Sequence, residues 1–123
     1  PREGLGGGVM SAQLDQIAAV GTVSPTYSRR GKPSNRITCK DGVTLSVVAG
    51  AGSYCSPRPG FGSSRDYEGP YTAVEVGFPS ARPEPWLEWC SFADDAEKPT
   101  ETVYGWVPVE MVAALIQSHG GER

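Results

Sequence analysis

The sequence is poor in the side chains on which most enzymatic and metal chemistry depends. It has a single histidine, His119, and three cysteines, Cys39, Cys55 and Cys90, none of them in a CxxC pair. A zinc site needs several closely spaced ligands, and a Cys–His nucleophile needs two side chains that nothing in this spacing brings together. A nucleophile elbow and a phosphate-binding GxxxxGK[ST] loop are also absent. We therefore expect a protein that is not an enzyme and that holds no metal or cofactor.

Long apolar segments are missing as well. No apolar run approaches the roughly 18 residues that a membrane span needs, and the first residues lack the basic-then-apolar order of a secretory signal. An odd number of cysteines without local pairing favours reduced thiols, with one disulfide and one free thiol as the alternative. These absences predict a cytoplasmic protein that does not bind a membrane.

Glycine and proline are abundant instead, at 16 and 11 of 123 residues, which predicts many turns and short elements in one small domain. Charge is unevenly distributed. Residues 1–40 carry six Lys or Arg against two Asp or Glu, a balance of +4, whereas residues 41–123 carry five against twelve, a balance of −7. An acidic main body argues against a duplex-DNA-binding protein. It is compatible with a small anionic ligand held by one or two arginines.

The clearest structural signal lies in residues 36–48, where an Asp-Gly step separates two short runs of strand-forming residues. A three-residue loop, 40–42, would pair Ile37 with Leu45 and collect the apolar side chains on one face. A two-residue loop would mix apolar and polar side chains on both faces, so burial favours the longer loop. Gly42 is then expected in the left-handed conformation of a bulge glycine.

Periodicity and breaker residues predict the other elements. These are a helix over 11–20, a strand over 71–78 with Val74 and Val76 inward, a strand over 102–107, a helix over 108–119 in which His119 caps the last turn, and a segment 86–92 that fits either a helix or a short strand. Together they predict an α+β fold, a small antiparallel sheet made of a bulged hairpin and two strands, with the C-terminal helix packed on one face. Residues 1–35 are expected to form a flexible leader, a short helix and a basic connector, and residues 36–121 a single α+β domain. A core this small also suggests a homodimer or higher homo-oligomer.

A long loop, 49–70, interleaves aromatic and arginine side chains. Loops of this length are usually functional or disordered. Aromatic rings supply flat faces for stacking on a base, and arginine supplies a planar fork for phosphate. The predicted ligand-binding residues, from this loop and from nearby strand ends, are Tyr54, Arg58, Arg65, Phe78, Arg82 and Trp106. The alternative is a loop whose aromatic side chains only fill its own interior.

A basic cluster precedes the hairpin, at Arg29, Arg30 and Lys32. It indicates either an arm that reaches nucleic acid or an acidic partner, or a solvated loop.

Five spaced segments resemble a family of small bacteriophage-encoded proteins of unknown function. They are ITCKDG (37–42), YCSPR (54–58), GPYTAVEVGFPS (69–80), PTETVYGWVP (99–108) and the helix ending in HGG (119–121). The resemblance covers residues 36–121. Phage proteins of this size are often antagonists of host defence that act by stoichiometric binding, and the Thoeris anti-defence sponges, which capture cyclic ADP-ribose signals, are similar in strategy.

The resemblance implies a non-enzymatic binding protein of the host cytoplasm that sequesters a small, anionic, nucleotide-like signal. One alternative is a protein–protein inhibitor of a host defence protein, similar to an anti-CRISPR, that uses the acidic face of residues 84–101. A minor virion or accessory structural protein is a further alternative.

Overall fold

The computed structural model describes residues 11–24, 28–58, 67 and 69–123. In chain order the elements are α1 (Ala12–Val20), β1 (Arg36–Thr38), β2 (Thr44–Val48), β3 (Ala73–Gly77), α2 (Trp86–Trp89), a 3₁₀ turn (Cys90–Phe92), β4 (Val103–Pro108) and α3 (Val109–Ser118). The strands form one antiparallel sheet in the order β1-β2-β3-β4. This architecture confirms the predicted α+β fold with a C-terminal helix. None of the described helices is long and apolar enough to cross a membrane.

The β1–β2 hairpin has the predicted register. Ile37 is paired with Leu45, and the Cys39 N–H donates to the Val43 carbonyl at 2.7 Å across the mouth of the loop. Gly42 has a φ of 96°, in the left-handed region that favours glycine. Ile37, Cys39 and Leu45 are all fully buried, so burial of one face selects the three-residue loop.

Strand β4 contains a bulge opposite β3. Val74 pairs with Val107 and Val76 pairs with Tyr104, so two residues of β4, Gly105 and Trp106, lie opposite the single residue between the valines. Such a bulge inserts an unpaired residue and redirects the side chains around it. Val74 and Val76 are fully buried, as predicted from their alternation.

Helix α1 contributes to the same core as the sheet. The Ser11 hydroxyl accepts the Leu14 N–H at 2.9 Å, as predicted for an N-cap. Leu14 and Ile17, at 1% and 0% exposure, lie in one cluster with the buried residues of the sheet. The predicted short helix therefore packs into the same core as the sheet. Residues 1–10, predicted as leader, lie outside the described residues.

The segment that fitted either a helix or a strand is helical. Helix α2 starts after Pro85 and continues into the 3₁₀ turn. Trp89 is 1% exposed, and the rings of Trp86 and Trp89 pack edge-on against Tyr104 at centroid distances of 6.4 and 5.6 Å. The two tryptophans thus attach α2 to the inner face of β4.

Helix α3 begins at Val109, one residue later than predicted, because Pro108 still has an extended backbone with ψ of 139°. Val112, Leu115 and Ile116 are its buried stripe, in agreement with the predicted apolar face. All three cysteines are free thiols, as the odd count favoured, and Cys39 and Cys55 are buried.

The end of α3 is tied to the β1–β2 loop. His119 occupies the C-cap position, and its Nδ1 lies 2.6 Å from Asp41 Oδ2. The other carboxylate oxygen of Asp41 accepts the Val43 N–H at 3.0 Å. Both contacts lower the pKa of the Asp41 carboxyl below its usual value, and the hydrogen bond from the Val43 N–H has the larger effect.

Because its folded pKa is depressed, Asp41 stabilises the fold above its unfolded pKa of about 3.9, and this contribution is lost as pH falls through the lower folded value. We expect the Asp41→Asn variant to lose this component of acid sensitivity, since asparagine accepts the same N–H without titrating. Urea unfolding at a series of pH values from about 6 downward measures this component. The difference in free energy of unfolding between the wild type and Asp41→Asn should decrease as pH falls and vanish at low pH. Asp94→Asn is the matched control, and a shift of the same size in that variant would contradict the assignment to the loop.

Candidate functional site

Large apolar side chains are exposed at four positions of the described chain. Their exposed fractions are 41% for Tyr54, 58% for Phe78, 90% for Leu87 and 46% for Trp106. Three of them, all but Leu87, are among the predicted ligand-binding residues. Exposed aromatic side chains that are not needed for the core are typical of binding surfaces.

Two of these aromatic residues also have unusual backbone geometry. Phe78 has a φ of 48° and Trp106 a φ of 54°, and no other non-glycine residue in the described ranges has a positive φ. The left-handed region is unfavourable for bulky side chains and costs on the order of 1–3 kcal/mol per residue. Backbone strain that holds a ring in solvent points to a function for that ring, because folding alone does not require it.

Tyr54, Arg58 and Trp106 form one group, which we call the stacking cluster. The rings of Tyr54 and Trp106 are stacked, with centroids 4.9 Å apart and planes inclined by 23°. The guanidinium carbon of Arg58 lies 4.9 Å from the centroid of the Tyr54 ring and 5.9 Å from that of Trp106. Arginine over an aromatic face is stabilised by the ring quadrupole while its N–H groups stay directed outward in the guanidinium plane.

The β4 bulge positions the stacking cluster. The Trp106 N–H donates to the Tyr54 carbonyl at 2.9 Å, and the Tyr54 N–H donates to Glu75 Oε1 at 2.9 Å. A Cβ on Gly105 would lie 3.2 Å from the Tyr54 Cβ, a tight contact that Tyr54 would have to relieve by moving away by a few tenths of an ångström, so glycine favours this close approach. Tyr54 is therefore held beside the bulge through its own carbonyl, which accepts the Trp106 N–H, and through its own N–H, which donates to the Glu75 side chain.

A depression of about 310 Å³ opens beside the cluster. Its walls include Tyr54, Trp106 and the half-buried ring of Phe92, and Asp94 contributes a carboxylate. The volume is at the lower end of the range of small-molecule sites, which begins at about 300 Å³. Aromatic walls with one cation over the rings and one carboxylate suit a flat ligand that carries both charge and hydrogen-bonding groups.

The other predicted site residues do not join the cluster. Arg82 forms an ion pair with Glu84, with Nε and Oε2 2.8 Å apart, and lies over Trp86 at 5.4 Å from the ring centroid. The Arg82 guanidinium lowers the pKa of the Glu84 carboxyl. No hydrogen bond, ion pair or ring contact in the described part of the chain connects Phe78 or Arg82 with the stacking cluster, and Arg65 lies outside the described residues. The structure therefore brings together Tyr54, Arg58 and Trp106 out of the six.

Sequence reasoning missed the residues that support the cluster. The alternation that directs Val74 and Val76 inward predicts only that Glu75 faces outward, and Phe92 ends the segment 86–92, which fits either a helix or a short strand. The only signal in the sequence was Gly105, a glycine inside a strand, which often marks a bulge or a close backbone approach. The hydrogen bond from the Tyr54 N–H to Glu75 depends on the β3–β4 register, and no short stretch of the sequence indicates it.

Cys55, which follows Tyr54 in the sequence, is a buried thiol that is not activated as a nucleophile. Its Sγ lies 3.3 Å from the Pro57 carbonyl and 3.6 Å from the Gly50 carbonyl, which accept its S–H. Burial raises the pKa of the Cys55 thiol, which disfavours the nucleophilic thiolate at neutral pH. Within the described ranges, no group of three or more His, Cys, Asp or Glu side chains is placed to hold a metal ion.

Comparisons with known proteins leave the stacking cluster as the main guide to function. No protein-family model, curated protein or solved structure matches the chain.

Proposed function

We propose that this protein is a non-enzymatic binding protein that captures a flat, anionic ligand of the nucleotide class at the stacking cluster. The observation that carries the proposal is Trp106, an exposed ring on a strained backbone, stacked on Tyr54 and covered by Arg58. Stacking of a base on an aromatic side chain contributes about 1–3 kcal/mol. An arginine beside the stack adds recognition of phosphate.

Ion pairing distinguishes the roles of Arg58 and Arg82, the two predicted ligand-binding arginines that the structure describes. Arg82 is already paired with Glu84, so phosphate binding there would have to displace a carboxylate. Arg58 is exposed and makes no ion pair within the described part of the chain. Its guanidinium N–H groups are therefore free to bind a ligand phosphate, and we assign the phosphate contact to Arg58.

The segments that carry the phage resemblance also carry the cluster. Tyr54 and Arg58 are the ends of YCSPR, and Trp106 belongs to PTETVYGWVP. This coincidence supports a biological role in which the protein antagonises host defence by sequestering a nucleotide-like signal in the host cytoplasm. To capture a nucleotide without turnover, a site needs rings that stack on the base and a cation that binds the phosphate. The cluster has both.

Isothermal titration with cyclic nucleotides and linear nucleotides tests the proposal. We expect one of them to bind, and Trp106→Ala and Arg58→Gln each to weaken binding by about 1–3 kcal/mol, because one removes stacking and the other the charge-assisted bonds. Trp106→Gly should unfold at no lower denaturant concentration than Trp106→Ala, because glycine tolerates the positive φ.

Leu87→Ala is the matched control, since it removes another exposed apolar side chain from outside the cluster. It should leave the affinity unchanged. Absence of heat with every nucleotide of the panel would refute the nucleotide class.

A second candidate function has an observation of its own. Leu87 is 90% exposed on α2, and two exposed glutamates, Glu84 and Glu88, flank it in the sequence. An apolar residue within an acidic face fits the alternative of a protein–protein inhibitor that binds a basic surface of a host defence protein. A pull-down from host lysate that recovers one stoichiometric partner with no bound nucleotide would favour this function over the first.

A further inference from the structure

A second pocket of about 330 Å³ lies beside the loop that follows β2. It has an aliphatic wall and three side chains that can form hydrogen bonds. Its lining includes Val23, Val48, Ala51, Arg29, Ser53 and Glu75.

Ser53 is the first observation that points to a ligand. The residue is only 5% exposed. Its N–H donates to the Gly50 carbonyl at 3.1 Å, but its hydroxyl has no hydrogen-bond partner in the part of the chain that the structure describes. The other buried polar residues, Ser11, Thr22 and Thr102, all have a bonded hydroxyl. An unsatisfied buried hydroxyl is rare in a native protein and calls for a partner.

Charged groups of opposite sign complete the pocket. Arg29 forms no ion pair among the described residues, and its side-chain hydrogen bond is to Asn35 Oδ1 at 3.5 Å from Nη1, the outer limit for a hydrogen bond. Glu75 uses Oε1 to accept the Tyr54 N–H, and its Oε2 has no partner within the same described ranges. A simple anion would be repelled by Glu75 and a simple cation by Arg29, whereas a molecule carrying both charges is attracted by both.

We propose that this pocket binds a small zwitterion of the class of the free aliphatic α-amino acids. Its carboxylate would accept from Arg29 and from the Ser53 hydroxyl, and its ammonium group would donate to Glu75. Its aliphatic group would pack against Val23 and Val48. The site contains no residue of the stacking cluster, although Glu75 also accepts the Tyr54 N–H, so it does not depend on the proposed nucleotide function.

Titration with L-valine, followed by calorimetry and by amide chemical shifts, tests the proposal. Isovalerate, which lacks the ammonium group, and isobutylamine, which lacks the carboxylate, should each bind at least about tenfold more weakly than valine, because each loses a charge-assisted hydrogen bond. Arg29→Gln should weaken valine binding to a similar extent. Arg30→Gln, the neighbouring exposed arginine that does not line the pocket, should leave it unchanged.

Ser53→Ala separates a ligand contact from a structural one. The variant should bind valine several-fold more weakly while its melting temperature without ligand stays equal to or above that of the wild type, since an unbonded buried hydroxyl contributes nothing to the fold. Failure of valine to bind, equal binding of isovalerate, or a lowered melting temperature for Ser53→Ala would each overturn the proposal. Trp106→Ala should bind valine normally, so a failure here is distinguishable from a failure of the nucleotide proposal.

Discussion

Replacement of Trp89 by alanine is expected to lower the free energy of unfolding by about 3–5 kcal/mol. The indole is 1% exposed and packs edge-on against Tyr104, with the ring centroids 5.6 Å apart. Tyr104 is itself fully buried, its hydroxyl donates to the Pro99 carbonyl at 2.6 Å, and burial raises its pKa to about 12. Removal of the indole leaves a cavity that the rigid sheet behind it cannot fill. Chemical denaturation followed by circular dichroism measures the loss.

Leu87→Ala is the matched control for this experiment. Leu87 lies two residues before Trp89 on the same short helix and is 90% exposed. Its replacement should therefore change the free energy of unfolding by no more than about 0.5 kcal/mol. If Trp89→Ala cost as little as Leu87→Ala, α2 would not be packed against the sheet, and the support of β4 behind the stacking cluster would be misassigned.

Replacement of Ile17 by alanine should cost about 2–5 kcal/mol. Ile17 is fully buried, and α1 is further held by main-chain bonds, from the Tyr71 N–H to the Ala18 carbonyl at 2.6 Å and from the Thr22 N–H to the Ala49 carbonyl at 2.8 Å. The loss of a buried side chain outweighs the better helix propensity of alanine, which amounts to less than about 1 kcal/mol. Urea unfolding measures the difference.

Gln16→Ala provides the comparison on the neighbouring exposed position of α1. It should alter the free energy of unfolding by no more than about 0.5 kcal/mol. Equal effects of the two substitutions would show that residues 11–24 do not belong to the core, as the sequence-based boundary at residue 36 had implied.

The parts of the fold that could be predicted are those that local pattern determines. The pairing of Ile37 with Leu45 follows from a two-residue alternation that only one loop length can satisfy. The position of α1 could not be predicted in this way. The spacing of Leu14 and Ile17 shows that one helical face is apolar, but it does not show which surface that face covers.

The same holds for the candidate site: the sequence indicates which residues are suited to bind a ligand, but it does not show which of them meet. Aromatic and arginine residues in a long loop indicated Tyr54 and Arg58 by type, and Trp106 by its place near a strand end. Which of the predicted residues meet is decided by the register of β3 and β4, a long-range property without a signature in any short window. Phe78 and Arg82 have the same chemical character, but among the described residues no hydrogen bond, ion pair or ring contact joins them to the cluster.

The interval between Tyr104 and Val107 has a consequence for the whole of β4. Both residues are fully buried although they are three positions apart, which an uninterrupted pleat with its period of two does not allow. The extra residue of the bulge shifts the alternation of side chains by one position. Tyr104 and Val107 can therefore both point into the core while the indole of Trp106 between them points outward. Deletion of Gly105 would restore the regular pleat and leave the indole directed outward, but it would remove the bulge, with its left-handed Trp106 backbone and its close approach to Tyr54. The length of this short step therefore decides whether the two rings meet.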